Sequence, residues 1–256
     1  MRDPVRTALA AWRLCLGLLL SVAVFSPSPA TAAERPPGAA QPASDAAQVA
    51  GWVIATADNH GLPFMIIDKI AAEVLVFGAD GKLRGAAPAL LGLAVGDDST
   101  PGIGDRKMSS IRPEERTTPA GRFVAAFGPA AGKKDVLWVD YATAISLHRV
   151  VTTNTKERRL QRLSTPTPLD NRITFGCINV SAAFYEKVAR PTFTGTKGVV
   201  YVLPETRSLS DVFPTFQSRD PSIVASITGL GDIEVPAHAA LAPNSAAVDA
   251  VASGGF

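Results

Sequence analysis

Histidine and cysteine are scarce in this chain, with 3 and 2 residues in 256. Charge of one sign is also missing: the net value is only +2. That balance removes the electrostatic case for nucleic acid as a partner. No long apolar run follows Phe25, so nothing beyond the first residues is expected to engage a membrane. No internal repeat stands out. Apolar side chains, by contrast, make up 46% of the sequence, enough to build the core of one ordinary domain with tails to spare.

One of the two cysteines, Cys15, lies in "MRDPVRTALAAWRLCLGLLLSVAVFSPSPATAAE". Arg2, Arg6 and Arg13 precede an apolar run from Leu14 to Phe25, and Ala30-Thr31-Ala32 follows. A positive start, a short apolar middle and an A-x-A end describe a secretory signal peptide; a retained anchor is the alternative reading. Arg13-Leu14 lacks the small residues of a lipidation site. The chain then divides into a signal peptide at 1–32, an Ala/Pro-rich linker at 33–51, a body at 52–216 and a mostly flexible tail at 217–256. Within the tail, a short element around Ile223–Leu230 is expected to pack on the body. Cleavage near Ala32 removes Cys15 and leaves Cys177 alone. Exported cysteines usually pair, so a single one is an intermolecular bond, a reactive thiol, or a buried inert side chain.

The body reads mainly as strands. Phe64–Asp68 and Glu73–Phe77 are apolar and β-branched, and Ala79-Asp80-Gly81 supplies a turn. "TTPAGRFVAAFG" adds a turn and another short apolar run. Val136–Tyr141, Ala144–Val151 and "KGVVYV" before Pro204 add more strands. Along Ala144–Val151, Ile145, Leu147 and Arg149 share one face, and Ser146, His148 and Val150 the other. One helix is expected after Cys177, capped by Ser181, with Phe184, Tyr185 and Val188 on one face and Pro191 beyond its end. The expected fold is mainly β, a sandwich or curled sheet with one or two short helices.

A thiol becomes a nucleophile when a base takes its proton. Three histidines are available. His60 sits in a turn and His238 in the tail, whereas His148 lies on a strand that can hold a base still. Between His148 and Cys177 runs "RVVTTNTKERRLQRLSTPTPLDNRITF", with Arg149, Lys156, Arg158, Arg159, Arg162 and Arg172 opposed only by Glu157 and Asp170. This is either a solvated loop or a lid that attracts a carboxylate-bearing substrate. Gly176 permits close approach of backbone to substrate, and the amides of Gly176 and Cys177 are placed to meet a developing oxyanion. Cys177 also precedes the expected helix N-terminus at Ser181, whose dipole favours a thiolate. Asn179 either orients the loop, contacts substrate, or bonds its own backbone in a turn.

Around these residues the chain resembles the L,D-transpeptidase catalytic domain, the YkuD-type family. "ITFGCINV" is similar to its Ser/Thr-His-Gly-Cys-x-Arg/Asn signature at Thr174, Gly176, Cys177 and Asn179, with His148 in the upstream place. "IIDKIAAEVLVFGADGKL", "RTTPAGRF" (Thr118, Pro119, Gly121, Phe123) and "GTKGVVYV" resemble its opening hairpin, its Thr-Pro-x-Gly-x-Phe turn and its closing strand, so the likeness spans about residues 62–204. Phe175 stands where the family commonly has histidine and Arg149 where glycine is frequent, and the His–Cys gap is longer than usual. The resemblance implies a cysteine acyltransferase for peptidoglycan stem peptides, with no metal or cofactor, working in the periplasm or another wall-facing space. Cys177 is the implied nucleophile and His148 the base, oriented by a backbone carbonyl near Arg149. Thr174, Phe175, Asn179 and Arg172 are then expected at the substrate. The acceptor is an amine of a second stem or of a wall-attached protein. Hydrolysis through the same thioester, or a non-catalytic wall-binding domain, are the alternatives. Papain-like proteases place cysteine before histidine, the reverse of this order. Sortase-type enzymes need an arginine on a nearby strand, and Arg190 is more simply a charge at the helix end.

Overall fold

In a computed structural model of the chain, residues 44–130 and 135–216 are described. The expected signal peptide, the linker up to residue 43 and the tail at 217–256, with its Ile223–Leu230 element, lie outside them. Nine strands form one sheet: β1 Phe64–Asp68, β2 Glu73–Phe77, β3 Leu83–Gly92, β4 Gly121–Pro129, β5 Asp135–Asp140, β6 Ile145–Arg149, β7 Arg172–Thr174, β8 Ile178–Val180 and β9 Gly198–Val202. Their order is β2-β1-β9-β4-β5-β6-β8-β3-β7. The sheet curls until its ends meet, because β3 is long enough to serve two neighbours. Its first half pairs antiparallel with β2, and Ala89 and Leu90 pair with β8. The fold is therefore mainly β and closed like a barrel, with short helical pieces.

Strand chemistry follows from which faces are covered. On β1, Met65 and Ile67 join the cluster inside the curled sheet with Val74, Val76, Leu137, Leu147, Ile178, Val180 and Val200. Phe64 and Ile66 point the other way and meet Leu75, Phe77, Val199 and Tyr201. A strand buried on both faces reads as a continuous apolar run, which is why "FMII", "VLVF" and "VVYV" lack alternation.

The cover on that second face is a helix, α1, at Asp45–Thr56. It crosses the boundary drawn between linker and body, so residues 45–51 are not linker. Ser44 caps it by accepting from the Ala47 amide, and Asp45 adds a negative charge in the first turn. Val49, Trp52 and Val53 are buried against β1, β2 and β9. Trp52 Nε1 also donates to the Thr215 carbonyl at 3.1 Å. The Ala-rich composition that suggested a linker is equally that of a good helix once one face is apolar. Among the described residues no helix is long and apolar enough to cross a membrane.

The region after Cys177 has the expected helix capped by Ser181, with differences of detail. β8 comes first, and helix begins only afterwards: α-helical at Ala182–Phe184, π-helical at Tyr185–Ala189 and α-helical again at Arg190–Phe193. Ser181 caps the start through the Phe184 amide. Pro191 lies inside the last piece rather than beyond it. A π turn leaves one carbonyl without its usual donor four residues on, so a proline just after it forfeits little.

Candidate active site

β6 and β8 lie side by side and parallel, with Leu147 opposite Ile178 and His148 opposite Asn179. Parallel neighbours require a crossover connection, here residues 150–177, which carry α2 (Arg159–Arg162) and β7. The long His–Cys gap is this crossover. Period-two alternation sends Leu147, Ile178 and Val180 into the core and turns Ser146, His148, Asn179 and the neighbouring Cys177 to the other face. Two strands thus bring together His148, Cys177 and Asn179, all three candidates from the sequence, and add Ser146, which shares the face of His148.

Each polar group has a definite partner. His148 Nδ1 lies 2.7 Å from the Arg149 carbonyl oxygen, to which it donates. Asn179 Nδ2 lies 3.1 Å from His148 Nε2. Ser146 Oγ is 3.6 Å from Cys177 Sγ, and the Ala144 carbonyl accepts from the thiol at 3.7 Å. Cys177 is half-buried and unpaired. Burial pushes its thiol up, but hydrogen bonding and charge from His148, joined by the backbone and hydroxyl of Ser146, outweigh burial and leave it below the ordinary cysteine range. For His148, burial and the Arg159 charge pull the imidazole down. Its interactions with Cys177 and the Arg149 carbonyl prevail and raise it. Both shifts favour a thiolate–imidazolium pair. The helical start capped by Ser181 lies beyond β8, which separates it from the thiol.

The turn holding the nucleophile is braced from behind. Gly176 has φ +125°, and a Cβ there would come within 2.6 Å of the Thr117 carbonyl oxygen and of Ile145 Cδ1. Only glycine fits. Thr118 donates its hydroxyl to the Gly176 carbonyl at 2.8 Å and accepts from the Gly92 amide at 2.9 Å. The Thr-Pro turn thereby ties β3, β4 and the nucleophile turn together. Thr118's own carbonyl accepts from Lys69 Nζ at 3.0 Å, and Lys69 belongs to a buried cluster with Asp97 and Glu205.

Several expected substrate contacts are instead internal. Thr174 is buried; its hydroxyl donates to the Cys177 carbonyl at 2.7 Å and accepts from the Gly176 amide at 3.1 Å. The Gly176 amide is therefore engaged within the turn and is not presented to an oxyanion. The Arg172 guanidinium donates to the carbonyls of Gly92, Ala94 and Lys69 and pairs with Glu205. Position in sequence near a nucleophile did not translate into facing it. Asn179 is 1% exposed and faces the histidine. Phe175 is half-buried, with the Arg116 guanidinium stacked 3.8 Å above its ring. Arg116, unmarked in the sequence reading, stands in the segment beside the Gly-Cys turn and has no acidic partner among the described residues.

The basic crossover is also more structural than its composition suggested. Arg149 stacks 4.3 Å over the Tyr185 ring and pairs with Glu186, so only its carbonyl serves the imidazole. Arg159 pairs with Glu157, and Arg162 donates to the carbonyls of Glu157 and Asp170. Lys156 and Arg158 remain exposed. Among the described residues no three His, Cys, Asp or Glu side chains stand together as a metal site.

No protein-family model and no curated protein matches the chain. Among solved structures it is similar to an L,D-transpeptidase from Mycobacterium smegmatis, at 16% identity and a TM-score of 0.33 over 55% of this chain. It is also similar to the helical cell shape determining protein Pgp2 from Campylobacter jejuni, at 17% identity and 0.35 over 57%. A third is the catalytic domain of an E. faecium L,D-transpeptidase, at 16% identity and 0.31 over 55%. The chain spans 58% and 49% of the first two and 95% of the third.

Proposed function

We propose that the protein is a cysteine acyltransferase acting on peptidoglycan stem peptides, an L,D-transpeptidase. The observation that carries the reading is the placement of the Cys177 thiol and the His148 imidazole on neighbouring parallel strands, with the imidazole held by the Arg149 carbonyl and the thiol lowered by its neighbours. The motif around Cys177 supplies the substrate class.

In this reading His148 takes the thiol proton, and Cys177 Sγ attacks the carbonyl carbon of the third, diaminopimelate-type residue of a tetrapeptide stem. The C–N bond to the terminal D-alanine breaks, and His148 returns the proton to the departing amine. A thioester remains on Cys177. An amine of a second stem, or of a wall-attached protein, attacks it; its proton passes to His148 and the thiol is released. The Cys177 amide is the oxyanion donor kept from the original pair, and Phe175 with Arg116 lines the approach. Export through residues 1–32 places the enzyme where wall is built.

The test is intact mass. A carbapenem or a tetrapeptide stem is expected to add its acyl mass to the wild-type protein and nothing to Cys177→Ala. An adduct retained by that variant, or none on the wild type, overturns the assignment. Incubation with isolated sacculi then separates transfer, which makes new cross-links, from hydrolysis, which makes none.

A further inference from the structure

We infer that Arg159 is a positioning residue that selects the protonation state of His148 through Asn179. The argument is one of donors and acceptors. A guanidinium can only donate, and Arg159 Nη1 lies 2.8 Å from Asn179 Oδ1. The amide oxygen is thereby fixed towards Arg159, and the amide nitrogen, which carries two hydrogens, is fixed towards His148 Nε2 at 3.1 Å. Two donors cannot share that contact. Nε2 must offer its lone pair, so the single proton of a neutral imidazole sits on Nδ1, where the Arg149 carbonyl accepts it at 2.7 Å. The chain Arg159–Asn179–His148–Arg149 carbonyl is a one-way relay of donations that selects one tautomer, the one whose free base faces away from the backbone anchor.

The relay also acts against the thiol. Cys177 pulls the imidazole towards its charged form. Once Nε2 carries a proton, that N–H meets the Asn179 amide nitrogen donor to donor, and Asn179 cannot turn round without setting its N–H groups against Arg159. The charge of Arg159 adds to the opposition. An imidazolium formed during reaction is therefore held less firmly and gives its proton up more readily. The groups facing this histidine are Cys177 and Asn179 from the turn and β8, Arg159 from α2 with Glu157 paired behind it, and the Arg149 carbonyl; Ser146, on the histidine's own strand, faces the thiol. Arg149's guanidinium is turned to Glu186. Because Arg159 belongs to the crossover, the docking of that segment is coupled to the state of the base. The inference builds on the site proposed above and not on its substrate.

The experiment is a long-range 1H–15N spectrum of the His148 ring in the 15N-labelled full chain, with the pH profile of Cys177 alkylation by iodoacetamide beside it. Wild type is expected to show a protonated Nδ1 and a bare Nε2 while the imidazole is neutral. Arg159→Met is expected to keep the Nδ1 proton, which the Arg149 carbonyl still accepts, but to free Asn179 to turn its oxygen to a protonated Nε2 and so raise the imidazole titration. It should also speed alkylation severalfold on the acid side, because a more stable imidazolium supports the thiolate at lower pH. Arg159→Lys, which restores a donor and a charge, is expected to return both towards wild type. A wild-type ring with its proton on Nε2 overturns the inference, and so does Arg159→Met with an unchanged imidazole titration and alkylation profile. A Lys variant as altered as Met overturns it too. None of these readouts needs a peptidoglycan substrate, so a failure here is distinct from a failure of the acyl-adduct test.

Discussion

Two polar clusters lie within this one curled sheet, and they are built on opposite terms. Around Lys69 every strong group is answered. Lys69 Nζ donates to Gly96 O at 2.6 Å, Asp97 Oδ1 at 2.7 Å and Thr118 O at 3.0 Å. Asp97 accepts from the amides of Glu205, Thr206 and Arg207 and from the Thr206 hydroxyl. Around Cys177 the histidine and asparagine are held just as firmly, but the sulfur's contacts to Ser146 and the Ala144 carbonyl are long, at 3.6 and 3.7 Å. A buried charge pair persists only when its geometry is saturated. A nucleophile must keep a weakly held atom for its substrate. The clusters meet at Thr118, whose carbonyl takes Lys69 and whose hydroxyl holds Gly176, so the closed one serves as the footing of the open one.

That contrast breaks most sharply at its two centres. Cys177→Ala is expected to abolish acylation and every iodoacetamide adduct at position 177 while moving the urea midpoint little, since the sulfur's contacts are weak. Asp97→Asn is expected to do the reverse: a loss of about 3–5 kcal/mol in urea unfolding, because Lys69 keeps only Glu205, at 3.4 Å, as a counter-charge and an amide NH2 replaces an oxygen that accepts from the neighbouring amides. The same cluster sets a pH dependence. Burial pushes the Asp97 carboxyl up, but Lys69, Thr206 and the amides of Glu205 and Thr206 hold it well below the usual carboxylate range. A depressed carboxyl stabilises the fold above its unfolded value of about 3.9 and loses that contribution as pH falls through its folded value. Acid unfolding of the wild type should therefore steepen below about pH 4, and Asp97→Asn should lack that component. At the joint, Thr118→Val keeps the shape but leaves the Gly92 amide and Gly176 carbonyl without their hydroxyl, at a cost of about 1–3 kcal/mol. It is expected to slow alkylation as well, which no change confined to the Lys69 side would do.

Legibility in the sequence followed the range of the interaction. β1 and β2 match their expected bounds residue for residue, because buried strands announce themselves as short apolar runs. β3 passed unseen. Its Gly85, Pro88 and three alanines are poor strand formers, and only pairing with β2 on one side and β8 on the other makes it a strand. α1 hid in an alanine-rich stretch although Ser44, Asp45, Val49, Trp52 and Val53 carry its cap and apolar face. At the site, Cys177 and His148 stood out because thiols and imidazoles are rare in this chain. Ser146 was legible as a face-mate of His148 through alternation alone. Thr118 was marked only as part of a turn and Arg159 only as part of a basic loop, and Arg116 not at all, because the crossover and the β3–β4 connection reach the nucleophile only after the sheet has closed. Arg172 and Thr174 misled for the same reason: nearness along the chain says nothing of which way a side chain is drawn once Glu205 or a turn amide claims it.

The smallest expected effect sharpens the comparison most finely, at Ser146. Its hydroxyl is one of the groups that favour the thiolate, and among those acting on Cys177 it ranks below His148 and below Ser146's own backbone. A hydrogen bond to the charged form lowers a thiol's pKa, so Ser146→Ala must raise it. The shift should be small, because His148 remains. The acid limb of the iodoacetamide profile is expected to move slightly upward, with a modest loss of rate below it and none on the alkaline plateau, where the thiol is already ionised. The urea midpoint should stay close to wild type, because a contact of 3.6 Å to sulfur contributes little to folding and alanine is tolerated in the strand without a change of shape at Cβ. A variant that lost stability as Thr118→Val does, with its profile unmoved, would place Ser146 with Lys69 and Asp97 as structural bracing. The open cluster would then shrink to the histidine, the asparagine and the sulfur.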